Sequence, residues 1–211
     1  MTDELVLYTN PMSRGRIARW MLEEVGAPYR TVVLDYGTTM QTAEYLAINP
    51  MGKVPAITHG GVVVTESAAI CAYLADAFPE ARMAPPPGPA RAAYYRWLFY
   101  AAGPVEAAIT DKSLGVVVTP EKEAMVGYRN LDAVVAALET AVQDGPYICG
   151  EQFTAADVYV GAQISWGMMF GSLPRTPVFE AYSARLHARP AAARARKIDD
   201  ALLPEDKRGM M

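Results

Sequence analysis

The chain has 211 residues and a mass of 22.9 kDa, room for one large or two small domains at roughly 100–200 residues each. With 52% apolar and 20% charged residues it can bury a sizeable core, which excludes a wholly disordered chain. The net charge of −4 is uneven, with five Lys/Arg and nine Asp/Glu in residues 1–80 and fourteen of each in 81–211; neither part is basic, so nucleic-acid binding has no electrostatic footprint.

In chain order, Met1-Thr2-Asp3-Glu4 lacks the basic flank and apolar run of a signal peptide. No later stretch approaches the roughly 18–20 apolar residues that span a bilayer, so the expectation is a cytoplasmic chain with no membrane partner. Leu5–Tyr8 is a short apolar run that reads as a strand. Ile17, Trp20, Met21 and Val25 then recur at helical spacing from about Arg14, and Gly26 followed by Pro28 gives a stop. Val32–Leu34 reads as a second strand, with a short helix near Thr42–Ala47. Ala56–Thr58 and Val62–Val64 flank His59-Gly60-Gly61, a hairpin signal. From Ala68 to Phe78 the residues Ile70, Leu74 and Phe78 share a helical face that Pro79 ends. A β-α-β unit followed by an antiparallel hairpin and a packed helix is the plan of an α/β thioredoxin-like domain.

Five prolines in residues 79–89 exclude a helix or central strand. The expected boundaries are therefore a first domain over 1–80, a linker over 81–89 and a second domain over 90–211. The alanine-rich stretches Ala90–Thr110, Glu121–Gln143, Ala155–Phe170 and Val178–Ala188 read as helices, making the second domain all-α. Thr154 and Asp157 fit a capping box at the start of one of them, with Phe153 and Val158 as its flanking staple. Arg185, Arg189, Arg194, Arg196 and Lys197 read as a solvated helix end. Cys71 and Cys149 are too few and too far apart for a disulfide framework or a zinc site, and read as core residues.

Three segments could carry chemistry. After the first strand comes Tyr8-Thr9-Asn10-Pro11-Met12-Ser13-Arg14-Gly15-Arg16. A helix N-terminus offers free N–H groups and partial positive charge, and Ser13 would add a hydroxyl donor, a setting for a thiolate; an ordinary N-cap would use the same residue. Next is Asn49-Pro50-Met51-Gly52-Lys53-Val54-Pro55, where a proline at the first position of a strand is tolerated and trans is the ordinary expectation. Third is Thr65-Glu66-Ser67-Ala68-Ala69-Ile70, in which Ser67 can cap a helix and Glu66 sets an acid beside it.

In this order, Tyr8 to Arg16, Gly52-Lys53-Val54-Pro55 and Thr65-Glu66-Ser67-Ala68-Ala69-Ile70 with Tyr73-Leu74 resemble the cytosolic glutathione transferases of bacterial type, over essentially the whole chain. Phe153-Thr154-Ala155-Ala156-Asp157 also looks like that family's capping motif. The resemblance implies a thioredoxin-like domain that binds glutathione, followed by a helical domain that contributes the substrate pocket. It further implies that Pro55 is cis, that the Val54 backbone pairs with the cysteinyl part of glutathione, that Glu66 and Ser67 hold the γ-glutamyl end, and that Lys53 faces the glycyl carboxylate. Ser13 would donate its hydroxyl to the sulfur. Tyr8 is the rival, because the tyrosine types of the family keep a catalytic phenol near the end of the first strand.

What the resemblance implies for function is addition of the glutathione thiolate to an electrophilic, mostly apolar small molecule, or reduction of an organic hydroperoxide. No metal is required, and the enzyme would be a homodimer. The acceptor pocket would lie between the domains, with Met12, Tyr100, Trp166, Met169 and Phe170 as candidates. Two rivals stand beside this reading. A glutathione-dependent isomerase would need anion-binding side chains, for which Lys112 and Arg175 are on offer. A non-catalytic binding or regulatory protein could use the same scaffold.

Overall fold

The computed structural model describes residues 4–205; Met1–Asp3, where the reading of the chain's start begins, and residues 206–211 lie outside them. The first structural unit is built on four strands, β1 (Leu5–Thr9), β2 (Arg30–Val33), β3 (Ala56–His59) and β4 (Val62–Thr65), in the order β2-β1-β3-β4. β1 runs parallel to β2 and antiparallel to β3, and β3 antiparallel to β4. The hairpin is one residue tighter than the sequence suggests, because His59 stays in the strand opposite Val62. Gly60 and Gly61 alone make the turn, at φ 56° and 86°. A two-residue turn with positive φ at both positions matches the twist of the flanking strands, and glycine takes it without steric cost.

Helix α1 (Gly15–Val25) fills the crossover between β1 and β2 and buries Ile17, Ala18, Met21 and Leu22. It stops where Gly26, at φ 69°, returns its N–H to the Leu22 carbonyl. The short α2 (Ala43–Leu46) is capped by Thr42, whose hydroxyl accepts from the Tyr45 N–H. Helix α3 (Ser67–Ala77) follows β4 and packs against α1.

Residues 84–188 form a second compact unit of helices. The helix expected over Ala90–Thr110 divides into α4 (Arg91–Tyr100) and α5 (Glu106–Ser113), joined by a wider π turn over Ala101–Val105. Pro104 lies in that turn, and a residue with no N–H cannot complete the regular helical ladder. The stretch expected as one helix over Glu121–Gln143 begins with a 3-10 segment, Pro120–Met125. Its α6 (Leu131–Gln143) starts only at Asn130, whose side-chain oxygen accepts from Ala133 N–H. Arg129, at φ 62°, turns the chain just before that cap. α7 (Ala155–Phe170) and α8 (Pro177–His187) complete the unit.

A ninth helix, α9 (Pro190–Ala201), was not foreseen. It belongs with the first unit rather than with the helical second domain to which the sequence assigned residues 90–211. It buries Ala191, Ala192 and Ala195, and three ion pairs tie it to α1. Arg19 of α1 and Asp199 of α9 are both 1% exposed and meet at 2.7 Å, while Arg189 reaches Glu24 at 2.7 Å and Arg194 reaches Glu23 at 3.0 Å. The basic cluster is therefore not simply a solvated helix end: Arg189 and Arg194 dock on the acidic end of α1.

Candidate functional site

The loop from β1 to α1 is held almost peptide by peptide. Asn10 is buried and donates from Nδ2 to the Leu34 carbonyl at 2.7 Å, while its Oδ1 accepts from Met12 N–H at 2.9 Å. Ser13 Oγ donates to the Asn10 carbonyl at 2.7 Å and accepts from Gly15 N–H at 2.9 Å. Its single hydroxyl proton is thus committed inside the loop, and its lone pair caps the first turn of α1. Only glycine fits at position 15, since a Cβ there would stand 1.9 Å from Thr9 Oγ1. Tyr8 presents a different picture. Its ring packs beside Tyr45 with centroids 5.7 Å apart, and its hydroxyl makes no hydrogen bond among the described residues.

The second segment is pinned through the Lys53 carbonyl, which accepts from Tyr45 Oη at 2.6 Å and Asn49 Nδ2 at 2.8 Å. The Lys53 side chain itself is exposed and makes no ion pair among the described residues. The Val54–Pro55 peptide bond is cis, against the ordinary expectation for such a bond and as the family resemblance implies. Burial pushes the Tyr45 phenol up to about 12. A folded value above the usual 10 or so means that this phenol's contribution to stability is complete below pH 10 and is lost as pH rises from 10 through 12. Tyr45→Phe is expected to remove that component of alkaline unfolding, read from tyrosinate absorbance and far-ultraviolet dichroism; an unchanged alkaline transition would contradict it.

At the third segment, Glu66 stands at φ 66° just before α3. No side chain caps this helix, and the hydroxyl of Ser67, a residue only 7% exposed, has no partner among the described residues. Ser67 is the first helical residue and not the cap, so the reading of an ordinary N-cap is corrected here. Uncapped N–H groups, a free hydroxyl and the positive end of the helix are what an anion requires.

Sheet register brings the three segments together. Tyr8 pairs with Ala56, and Ala56 pairs with Thr65. One row across the sheet thus lies one residue from the end of β1 and its Asn10–Ser13 loop, begins β3 just after Pro55, and closes β4 just before Glu66. The starts of α1 and α3 follow from the same end. No group of His, Cys, Asp and Glu among the described residues is arranged to hold a metal ion, and none of their helices is long and apolar enough to cross a membrane.

Comparison with known proteins gives the lineage. Residues 12–77 match the glutathione S-transferase N-terminal domain and residues 106–166 the glutathione S-transferase C-terminal domain. Glutathione S-transferase GstA of Escherichia coli O157:H7 is 31% identical over 165 residues, 77% of this chain and 78% of that protein. The chain belongs to the glutathione S-transferase family. Among solved structures, a glutathione transferase from Methylococcus capsulatus aligns with TM-score 0.77 at 28% identity, over 93% of this chain and 99% of that one. A theta-class glutathione S-transferase from Xanthomonas axonopodis pv. citri, solved with glutathione bound, aligns with TM-score 0.73 at 29% identity, over 92% and 97%.

The remaining candidates named from sequence lie on different elements. Met12 is 45% exposed on the loop before α1. Tyr100 ends α4, half-buried and edge-on to Trp97, while Trp166, Met169 and Phe170 lie in the last turns of α7. Met169 and Phe170 are 42% and 68% exposed. A cleft of about 390 Å³ within the second unit, lined by Lys112, Leu131, Val135 and Leu173 among others, includes none of these five. Lys112 Nζ donates to the Gly171 and Ser172 carbonyls at 3.2 and 3.1 Å, and Arg175 pairs with Glu180 at 3.1 Å. Lys112 and Arg175, the cations named from sequence for an anionic substrate, thus each have a partner in the structure.

Neither cysteine is poised for thiolate chemistry. Burial raises the Cys71 thiol far above its ordinary range. Cys149, half-buried rather than in the core, is pushed up to about 11, first by burial and then by the nearby Asp157 carboxylate.

Proposed function

We propose that this chain is a glutathione transferase that ionises the glutathione thiol at the β1–α1 loop and presents it to an electrophilic, mostly apolar small molecule. The observation that carries the reading is the register just described: a loop at one helix N-terminus, a lysine beside a cis-proline turn, and an uncapped helix N-terminus with a free serine and an acid converge at one end of the sheet. Glutathione carries two carboxylates, one amine and one thiol, and each has a complement there. The uncapped start of α3 with Ser67 takes the γ-glutamyl carboxylate, Glu66 takes its amine, Lys53 takes the glycyl carboxylate, and the Val54 backbone pairs with the cysteinyl unit.

Ser13 is the thiol's hydrogen-bond donor in this reading, its hydroxyl turning from the Asn10 carbonyl to the sulfur. A second reading, favoured by the unpartnered phenol of Tyr8, gives that role to Tyr8. The reaction is nucleophilic addition or substitution by the thiolate, with an organic hydroperoxide as an alternative acceptor. Met12, Tyr100, Trp166, Met169 and Phe170 are the acceptor-facing side chains of the proposal, which includes a cytoplasmic homodimer.

Calorimetric titration tests the anchoring. Ser67→Ala is expected to weaken glutathione binding by about 1.5–3 kcal/mol, the range of a hydrogen bond to a charged group. The melting temperature should barely move, because the folded chain loses no internal hydrogen bond. Equal affinity in variant and wild type would contradict the assignment. Consumption of an aryl halide, a hydroperoxide or an isomerisable double bond, each with and without glutathione, separates transferase, peroxidase, isomerase and non-catalytic binder.

A further inference from the structure

We infer that α9 positions the thiol-activating loop, with Asp200 acting through Arg16 on the Pro11–Ser13 peptides; the inference rests on the function proposed above. Arg16 lies in the first turn of α1 and its side chain is 11% exposed. Its Nε donates to the Pro11 carbonyl and its Nη1 donates to Asp200 Oδ1 at 2.9 Å. Pro11 has no N–H, so the carbonyl is its one main-chain handle, and Arg16 grips it. Three neighbouring anchors converge on Asn10, Met12 N–H on its Oδ1 and Ser13 N–H and Oγ on its carbonyl, while Tyr36 Oη donates to the Met12 carbonyl at 3.5 Å. Asn10 fixes one side of the loop and the Arg16 fork the other.

The planar guanidinium presents its donors in a rigid fork, so its direction is set by the partners of Nε and Nη1, Nη2 being buried with no partner among the described residues. Asp200 occupies the second arm from α9, a helix seated on α1 by the Arg19–Asp199, Arg189–Glu24 and Arg194–Glu23 pairs. A segment 184 residues from Arg16 in sequence therefore sets the orientation of the side chain that holds the Ser13 loop. Arg16 and Asp200 are positioning residues: they act on the donor through the Pro11 carbonyl. Misplacing a reacting group by about 1 Å can cost roughly a hundredfold in rate, so a loosened loop will show in thiol ionisation before it shows in glutathione binding.

The experiment compares wild type, Asp200→Ala and Asp200→Glu. Amide exchange at Met12, Ser13 and Gly15 is measured without glutathione, and thiolate absorbance against pH, kcat and KM are measured with it. In Asp200→Ala we expect exchange at these amides to be at least about tenfold faster, the bound thiol to titrate at higher pH, and kcat to fall about tenfold, with glutathione KM within about twofold. Asp200→Glu should recover most of the loss. Wild-type exchange and thiol titration in Asp200→Ala, with only a lower melting temperature, would overturn the inference and leave Asp200 as a packing contact. A wild-type chain that ionises no glutathione would overturn the proposed function instead. The exchange arm then decides the coupling alone: acceleration in Asp200→Ala with recovery in Asp200→Glu sustains it, and unchanged exchange refutes it.

Discussion

Replacing Asp199 by alanine is expected to destabilise the first unit by about 3–5 kcal/mol, because it leaves a buried guanidinium without its counter-charge. Arg19 and Asp199 are each 1% exposed and joined at 2.7 Å. Arg19 also donates from Nη1 to Tyr29 Oη at 3.0 Å and Thr31 Oγ1 at 3.2 Å, which fixes its position and prevents escape toward solvent. Burial raises the Asp199 carboxyl above its ordinary value against the pull of Arg19, so the pair carries a desolvation cost as well as an attraction. Exchanging both partners for apolar residues of similar volume, Arg19→Met with Asp199→Leu, should recover most of the stability that Asp199→Ala loses. Thermal or urea melts of the single and double variants decide the matter. A single variant that melts with the wild type would show that α9 is not held by this pair.

Asp157→Ala is the second large effect. A capping box alone is worth about 0.5–2 kcal/mol, but Asp157 does more than cap α7. Its Oδ2 accepts from Thr154 N–H at 2.8 Å and Thr154 Oγ1 at 3.0 Å; its Oδ1 accepts from Ile148 N–H at 2.8 Å and Tyr182 Oη at 2.8 Å. The carboxylate is completely buried and ties the loop before α7, the start of α7 and the middle of α8 to one point. Its removal strands several buried donors at once, each costing about 1–3 kcal/mol when left unpaired, so a loss of about 3–5 kcal/mol is expected. Glutathione affinity of the folded protein should stay near wild type. A melting curve displaced only by the amount of a simple cap would show that Ile148 and Tyr182 find other partners.

Local signals explain what the sequence made legible. α7 runs from Ala155 to Phe170 as read, because a capping box opens it and Gly171, at φ 72°, closes it. The hairpin was visible in Gly60-Gly61, and the order of strands and helices gave the thioredoxin-like plan. Long-range pairing hid the rest. Nothing near Pro190–Ala201 announces that Asp199 will meet a residue 180 positions earlier, so the basic run there resembled a solvated helix end. Asn130 was a cap placed inside what composition suggested was one continuous helix.

At the site, the three segments could be found as motifs, but their convergence depends on the register Tyr8–Ala56–Thr65, which no short motif contains. The commitments of individual hydrogens were equally hidden. Ser13 and Ser67 both looked like caps; Ser13 does accept from Gly15 N–H but commits its proton to the Asn10 carbonyl, whereas the Ser67 hydroxyl has no partner among the described residues.

Ionisation of glutathione by a hydroxyl beside the N-terminus of α1, as proposed, is read from the thiolate absorbance of bound glutathione, titrated against pH in wild type, Ser13→Ala and Tyr8→Phe. A donor to sulfur favours the charged form, so its removal must move the thiol's titration to higher pH while the peptide anchors keep glutathione bound. That shift is expected in Ser13→Ala, with kcat/KM for conjugation at neutral pH falling in parallel. A shift in Tyr8→Phe alone would transfer the role to the phenol, and a bound thiol that titrates as it does in free solution in all three proteins would refute thiol activation by this chain.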